Sequence, residues 1–223
     1  MKLDEGVFLA RIDDRSVVLD LQRDRYFALT APMTRGVFGL VGADEPGASA
    51  GERTKAAAAL ERMSINLANA KVGRPLPPPP LKTLWAANPD AAARDAIPRP
   101  AVLWALACTA ARLRLGAFRQ TIEWAETRIV ASPTTGRGCA KAAVDAYAAT
   151  RPWFPVKPVC RLDAIALSLI LADAGCTPRL VFGVRLEPFH AHCWVEAEGQ
   201  IVNEAAEDLV QYVPILSVGG GRA

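Results

Sequence analysis

One stretch decides most of what this chain can become: Cys160 to Gly175, reading CRLDAIALSLILADAG. Its apolar residues occupy every side of a helical wheel instead of one stripe. A helix of that kind has to be enclosed on all sides. Gly175 stands where a helix end needs a left-handed residue, so the helix is expected to stop there. The flanks supply the enclosure. PRLVFGVRL, AHCWVEA and QIVNE follow as strands, and RPAVLWALACTAARLRLGAFRQTIEWAETRI precedes with long helical patterning and basic residues on one side. These segments predict an α+β unit in which a central Cys-bearing helix packs on an antiparallel sheet.

The first third reads differently. GVFLARID, SVVLDLQ and RYFAL alternate apolar and polar positions around short polar turns at Asp13-Asp14 and Arg23-Asp24, the pattern of a three-stranded meander. Thr30 ahead of Pro32 starts one helix, and Ser49 with Glu52 starts a second through a capping-box spacing. A small sheet followed by helices predicts a compact winged-helix unit. GRPLPPPPLK then interrupts all regular structure, because successive prolines can neither join a helix nor donate to a sheet. The expected organisation is a first unit over 1–72, a proline-rich linker over 73–95 and a second unit over 96–223.

Function classes narrow by exclusion. A net charge of +3 without a block of like charges gives no footprint for nucleic acid. The apolar run near Ala101–Ala111 is too short to span a bilayer, and the N-terminus lacks a signal region, so a cytoplasmic protein is expected. Five cysteines spread without a CxxC pair suit reduced thiols better than a disulfide framework or a zinc site. Cys160 opens the central helix, where the helix dipole favours a thiolate. The competing account is a small apolar residue packed at the helix start.

Both histidines fall in FHAHCWVEAEGQIVNE, residues 189–204. Glu198-Gly199 supplies a hairpin turn, and a type I turn with a G1 bulge would set Glu196 opposite Gln200 and His192 opposite Glu204. Imidazole and carboxylate would then share one face. A two-residue turn would set His192 opposite Ala205 instead. Strand parity separates His192 from Cys193, which speaks against a metal shared by the two. His190, where the strand begins, is expected at a rim with no partner.

These residues resemble the transglutaminase-like B proteins of lasso-peptide biosynthesis, in a match running from Pro155 to Asp208. The usual pattern there is a Cys at a helix start, then F-x-A-H-A-W-V-E, a Gly turn and an acid. The resemblance implies a transglutaminase/papain-like cysteine peptidase fold with Cys160 as nucleophile, His192 as base and Glu204 as third member, and Asp208 in reserve. No cofactor and no metal are implied. Cys193 replaces the usual Ala and is expected to be neutral, and Glu204 stands where Asp is more usual. VVLDLQRDRYFAL is similar to the PqqD-like leader-recognition element of peptide-modifying systems. A fused B protein of this kind would bind the leader of a ribosomally made precursor peptide and cut it off. An ATP-dependent macrolactam synthetase would then close the freed amine onto a side-chain carboxylate. The leader would add to the edge strand Arg25–Leu29, with Arg25, Phe27, Leu29, Met63 and Leu67 as contacts, and the fragment from Met1 to about Val72 would bind it alone. A silent precursor-binding scaffold and an acyl transferase to amines stay open as alternatives.

Overall fold

In the computed structural model, residues 6–42, 48–65, 71–72, 78–80, 82–84, 97–132 and 140–220 are described. Strands β1 (Val7–Ile12), β2 (Arg15–Asp20) and β3 (Arg25–Leu29) form the expected antiparallel meander. The β1–β2 turn is two residues long, with Asp13 in the left-handed region (φ 55°). Helices α1 (Ala31–Leu40) and α2 (Ala50–Arg62) follow. The capping box is present: Glu52 N–H donates to Ser49 Oγ (3.1 Å) and Ser49 N–H to Glu52 Oε2 (3.0 Å). A fourth strand, β4 (Lys71–Val72), pairs parallel with β1 and completes the order β3-β2-β1-β4. So short a strand carries no alternation and was not foreseen.

Both faces of β1 and β2 are largely buried. Val7, Leu9, Val18 and Leu29 form a small core with Val37, Phe38, Ala56 and Leu60 of the two helices. The alternate residues Phe8, Ala10, Val17, Leu19 and Leu21 belong to the large core. Each large apolar side chain among them contributes roughly 1.5–3 kcal/mol by burial, so the set rivals the net stability of a domain, about 5–15 kcal/mol. A fragment ending at Val72 would expose that whole face, which argues against its folding and binding leader alone. Period-2 patterning showed the alternation but not that each face meets its own partner.

The proline-rich segment is also more than a spacer. Ile201 N–H donates to the Lys82 carbonyl (2.9 Å) and Leu84 N–H to the Ile201 carbonyl (2.8 Å), so 82–84 pairs with the second sheet. The rest of the 73–95 linker, apart from 78–80, lies outside the described residues, as do Leu67 and Cys139.

The second unit contains α3 (Arg99–Leu115), α4 (Phe118–Ala131), α5 (Ala140–Thr150) and α6 (Cys160–Asp173). Then come β5 (Arg179–Leu186), β6 (Phe189–Ala197), β7 (Gln200–Ile201), α7 (Ala206–Leu209) and β8 (Val213–Gly219), in an antiparallel sheet of order β7-β6-β5-β8. The long helical pattern divides at Gly116 into α3 and α4. α6 is the enclosed helix: Leu162, Ile165, Leu167, Leu169, Ile170 and Leu171 are all buried. Gly175 (φ 83°) ends it, with Cys176 N–H bonded back to the Leu171 carbonyl (3.0 Å). Among the described residues no helix is long and apolar enough to cross a membrane.

Candidate active site

Cys160 is the first residue of α6, after the extended Val159 (φ −139°, ψ 127°). Val159 N–H donates to Asp163 Oδ2 (2.9 Å), and Asp163 Oδ1 accepts short hydrogen bonds from Tyr147 Oη and Arg151 Nε. The helix start is thereby tied to the end of α5. These three residues escaped the sequence reading, although Asp163 sits at the first-turn position where acids favour a helix start. The unshared N–H groups of the first turn, including that of Cys160, have no intrahelical acceptor.

His192 reaches the same point from β6. Its Nε2 lies 3.2 Å from Glu204 Oε1, leaving Nδ1 for the thiol. The expected contact is present, but the register that predicted it is not. Ala197 faces Gln200 and Glu196 faces Ile201 across a two-residue turn, with Glu198 (φ 53°) and Gly199 (φ 72°) both left-handed. Continued, that ladder would set His192 opposite Ala205. It stops early: Val202 N–H still reaches the Val195 carbonyl (3.0 Å), but Val195 N–H turns to the Asn203 side-chain oxygen (2.8 Å). The freed loop carries Glu204 to the imidazole. Thr83 braces this loop, accepting from Ala206 N–H (2.9 Å) and lying 3.4 Å from the Glu204 carbonyl, which its hydroxyl donates to. Asp208, the reserve acid, is exposed on α7.

Cys193, expected to have no role, lines the same cavity as Cys160. It is 1% exposed, and its thiol is the largest influence holding the Cys160 thiol down to about 4, ahead of the His192 imidazole; its backbone N–H adds to the effect. Burial pushes the Cys193 thiol itself up, and the neighbouring Cys160 adds to that. His192 is raised to about 9, first by Cys160 and then by Glu204. Between those limits the pair is a thiolate and an imidazolium. Parity spoke against a metal shared by His192 and Cys193; both nonetheless bear on one sulfur at the start of α6. His190 is exposed, as expected of a rim, but has a partner: its Nδ1 lies 2.8 Å from Tyr212 Oη.

Two further features fix the strand. Glu196 is buried, accepts from Trp194 Nε1 (2.9 Å) and pairs with Arg179 (2.5 Å), so it anchors the sheet. Gly183 faces His192 across the ladder, and a Cβ there would come within 2.5 Å of the Trp194 ring. Only glycine fits.

Cys160 opens into a cavity of about 300 Å³ lined by Tyr26, Arg161, Phe182, Ala191, His192 and Cys193, with Asp24 at its edge. Asp24 and Tyr26 come from the first unit. Arg161 pairs with Asp24 (2.6 Å) and lies over the Phe118 ring (4.9 Å). Burial, chiefly, raises the Tyr26 phenol far above its ordinary range. Of the expected leader contacts, Arg25 is exposed at the start of β3, while Phe27 and Met63 pack half-buried against the small core. Leu29 is 5% exposed within that core, so only its backbone can meet a ligand.

A family model described as the transglutaminase-like superfamily matches residues 102–217, more than half of the 223 residues. The chain belongs to that superfamily. The matched span holds Cys160, His192 and Glu204 and every element that positions them except Thr83 and the first unit. The chain is also 43% identical over 49 residues to the microcin J25-processing protein McjB of Escherichia coli. That match covers 22% of this transglutaminase-like chain and 24% of McjB, so the chain spans about a quarter of that relative's length. No solved structure matches the chain.

Proposed function

We propose that this protein is the leader peptidase of a lasso-peptide pathway, binding a precursor leader and hydrolysing the leader–core bond by Cys-His-acid catalysis. The observation that carries the proposal is the thiolate–imidazolium pair, backed by Glu204, at the mouth of a cavity that the first unit helps to line. The likeness to McjB supports the pathway. The Cys160 thiolate attacks the scissile carbonyl, and the oxyanion meets N–H groups of the α6 start. His192 gives its proton to the departing amine, leaving a thioester. Water then attacks, with His192 taking the proton back, and the leader leaves with a free carboxylate. Glu204 holds the imidazole and stabilises its charge.

The first unit would act as the PqqD-like, winged-helix leader-recognition element. β3 is an edge strand, and its Arg25 end adjoins the cavity. A leader added antiparallel to β3 therefore runs from Leu29 toward Arg25 and delivers its C-terminal end to Cys160. Arg25, Phe27 and Met63 would meet its side chains. The freed core amine is the group an ATP-dependent macrolactam synthetase would consume, in a cytoplasm that keeps the thiols reduced.

The test is incubation of the full chain with the precursor encoded beside its gene, followed by mass spectrometry. Leader with a free carboxylate and intact core are expected, with Cys160→Ala binding leader but forming neither product. Leader joined to an added amine would instead show acyl transfer, and an unchanged precursor would show a scaffold.

A further inference from the structure

A second groove is lined by Val159 and Arg161, the two chain neighbours of the nucleophile, and shares Arg161 with the first cavity. It holds about 470 Å³ between the end of α3 and the segment 155–159, a size suited to a short peptide stretch. Its floor is apolar, with Leu113, Val159 and Leu162, and no Asp or Glu lines it. Val156 and Val159 are 40% and 47% exposed, unusual for branched apolar residues beside a reactive thiol. The rim is cationic. Arg161, shared with the first cavity, is committed to Asp24. Arg114 and Lys157 are exposed and have no carboxylate partner among the described residues.

We propose that this groove is the subsite for the residues that follow the cleaved bond, and that it selects an apolar stretch carrying a carboxylate. The inference rests on the peptidase proposal for its direction: the leader enters past Tyr26, so what lies beyond the bond continues past Val159. The occupant's chemistry comes from the groove itself. Apolar side chains would cover the valines, and an Asp or Glu would neutralise Arg114 and Lys157, which line the same groove.

The Cys160→Ala protein is titrated with two fluorescently labelled peptides, both apolar with a free N-terminal amine. One carries an Asp at its far end and the other a Lys. The acidic peptide should bind about tenfold more tightly at low salt, within the reach of two exposed ion pairs. Arg114→Glu with Lys157→Glu should reverse the preference. Both positions are exposed, and unchanged thermal melting checks the fold. Equal binding of the two peptides, or an acidic preference that survives charge reversal, would overturn the proposal. So would a concentration-dependent dimer of the parent that the double variant abolishes, since a second copy would then own the face. Precursor cleavage by the parent separates the two proposals. Failure to cleave, with the acidic preference intact, removes the peptidase and leaves the groove. Cleavage with unchanged kcat/KM in the double variant removes the groove and leaves the peptidase.

Discussion

Cys193→Ala should loosen the hold on the nucleophile without destroying it. The Cys193 thiol is buried beside a half-buried thiolate, where a hydrogen bond to a charged group contributes about 1.5–3 kcal/mol. A thiol is a weak donor, which places it at the low end of that range. At 1.36 kcal/mol per pH unit, the Cys160 midpoint should rise by about one unit. The remaining influences, His192 and the Cys193 backbone N–H, stay in place. Starting from about 4, the thiolate fraction at pH 4.5 falls roughly threefold, while at pH 7 it hardly changes. The assay is the rate of iodoacetamide modification at Cys160, followed by peptide mass spectrometry from pH 3.5 to 9, which needs no substrate. Cys193→Ser, a better donor of similar size, should keep the parent midpoint. An alanine variant with an unmoved midpoint would refute the donor role, and a serine variant that shifts as alanine does would reduce it to packing.

Glu204→Gln should lower the His192 midpoint from about 9 by about one pH unit, because the imidazolium loses its anionic partner. A group raised in the folded protein keeps its proton below that midpoint, so cleavage should be lost from the alkaline side first and persist near pH 6. His192→Ala should abolish cleavage at every pH; a Glu204→Gln pH–rate profile identical to the parent would remove Glu204 from the mechanism. Thr83→Val keeps the shape but leaves Ala206 N–H unpaired, a cost of about 1–3 kcal/mol. Its alkaline limb should move in the same direction as that of Glu204→Gln, and Thr83→Ser should restore it. An unmoved limb with a lower melting temperature would make Thr83 structural only.

What the sequence revealed depended on how local the signal was. The enclosed α6, its Gly175 stop and the capping box at Ser49 are written in neighbouring residues, and each was legible. The meeting of His192 with Glu204 was anticipated through the wrong hairpin, because Glu198 and Gly199 both accept left-handed backbone and the real ladder breaks at Asn203. Strand parity spoke only to a metal shared by His192 and Cys193 and was silent on how both bear on one sulfur at the start of α6. Thr83, Tyr147, Arg151, Asp24 and Tyr26 were invisible as site residues, since each reaches the centre from an element other than α6 and β6. Their spacing has no period to betray them.

The large core is assembled from both sides of the proline-rich segment, with Leu19 and Leu21 packed among the same buried side chains as Leu106 and Ile122. An interface of that kind resembles a domain interior sliced through, the type found between obligate subunits. The peptide bond joining the two parts is thus a convenience of synthesis: a chain severed once there would remain a single particle. Two polypeptides encoding the halves, folded together, would form an obligate heterodimer.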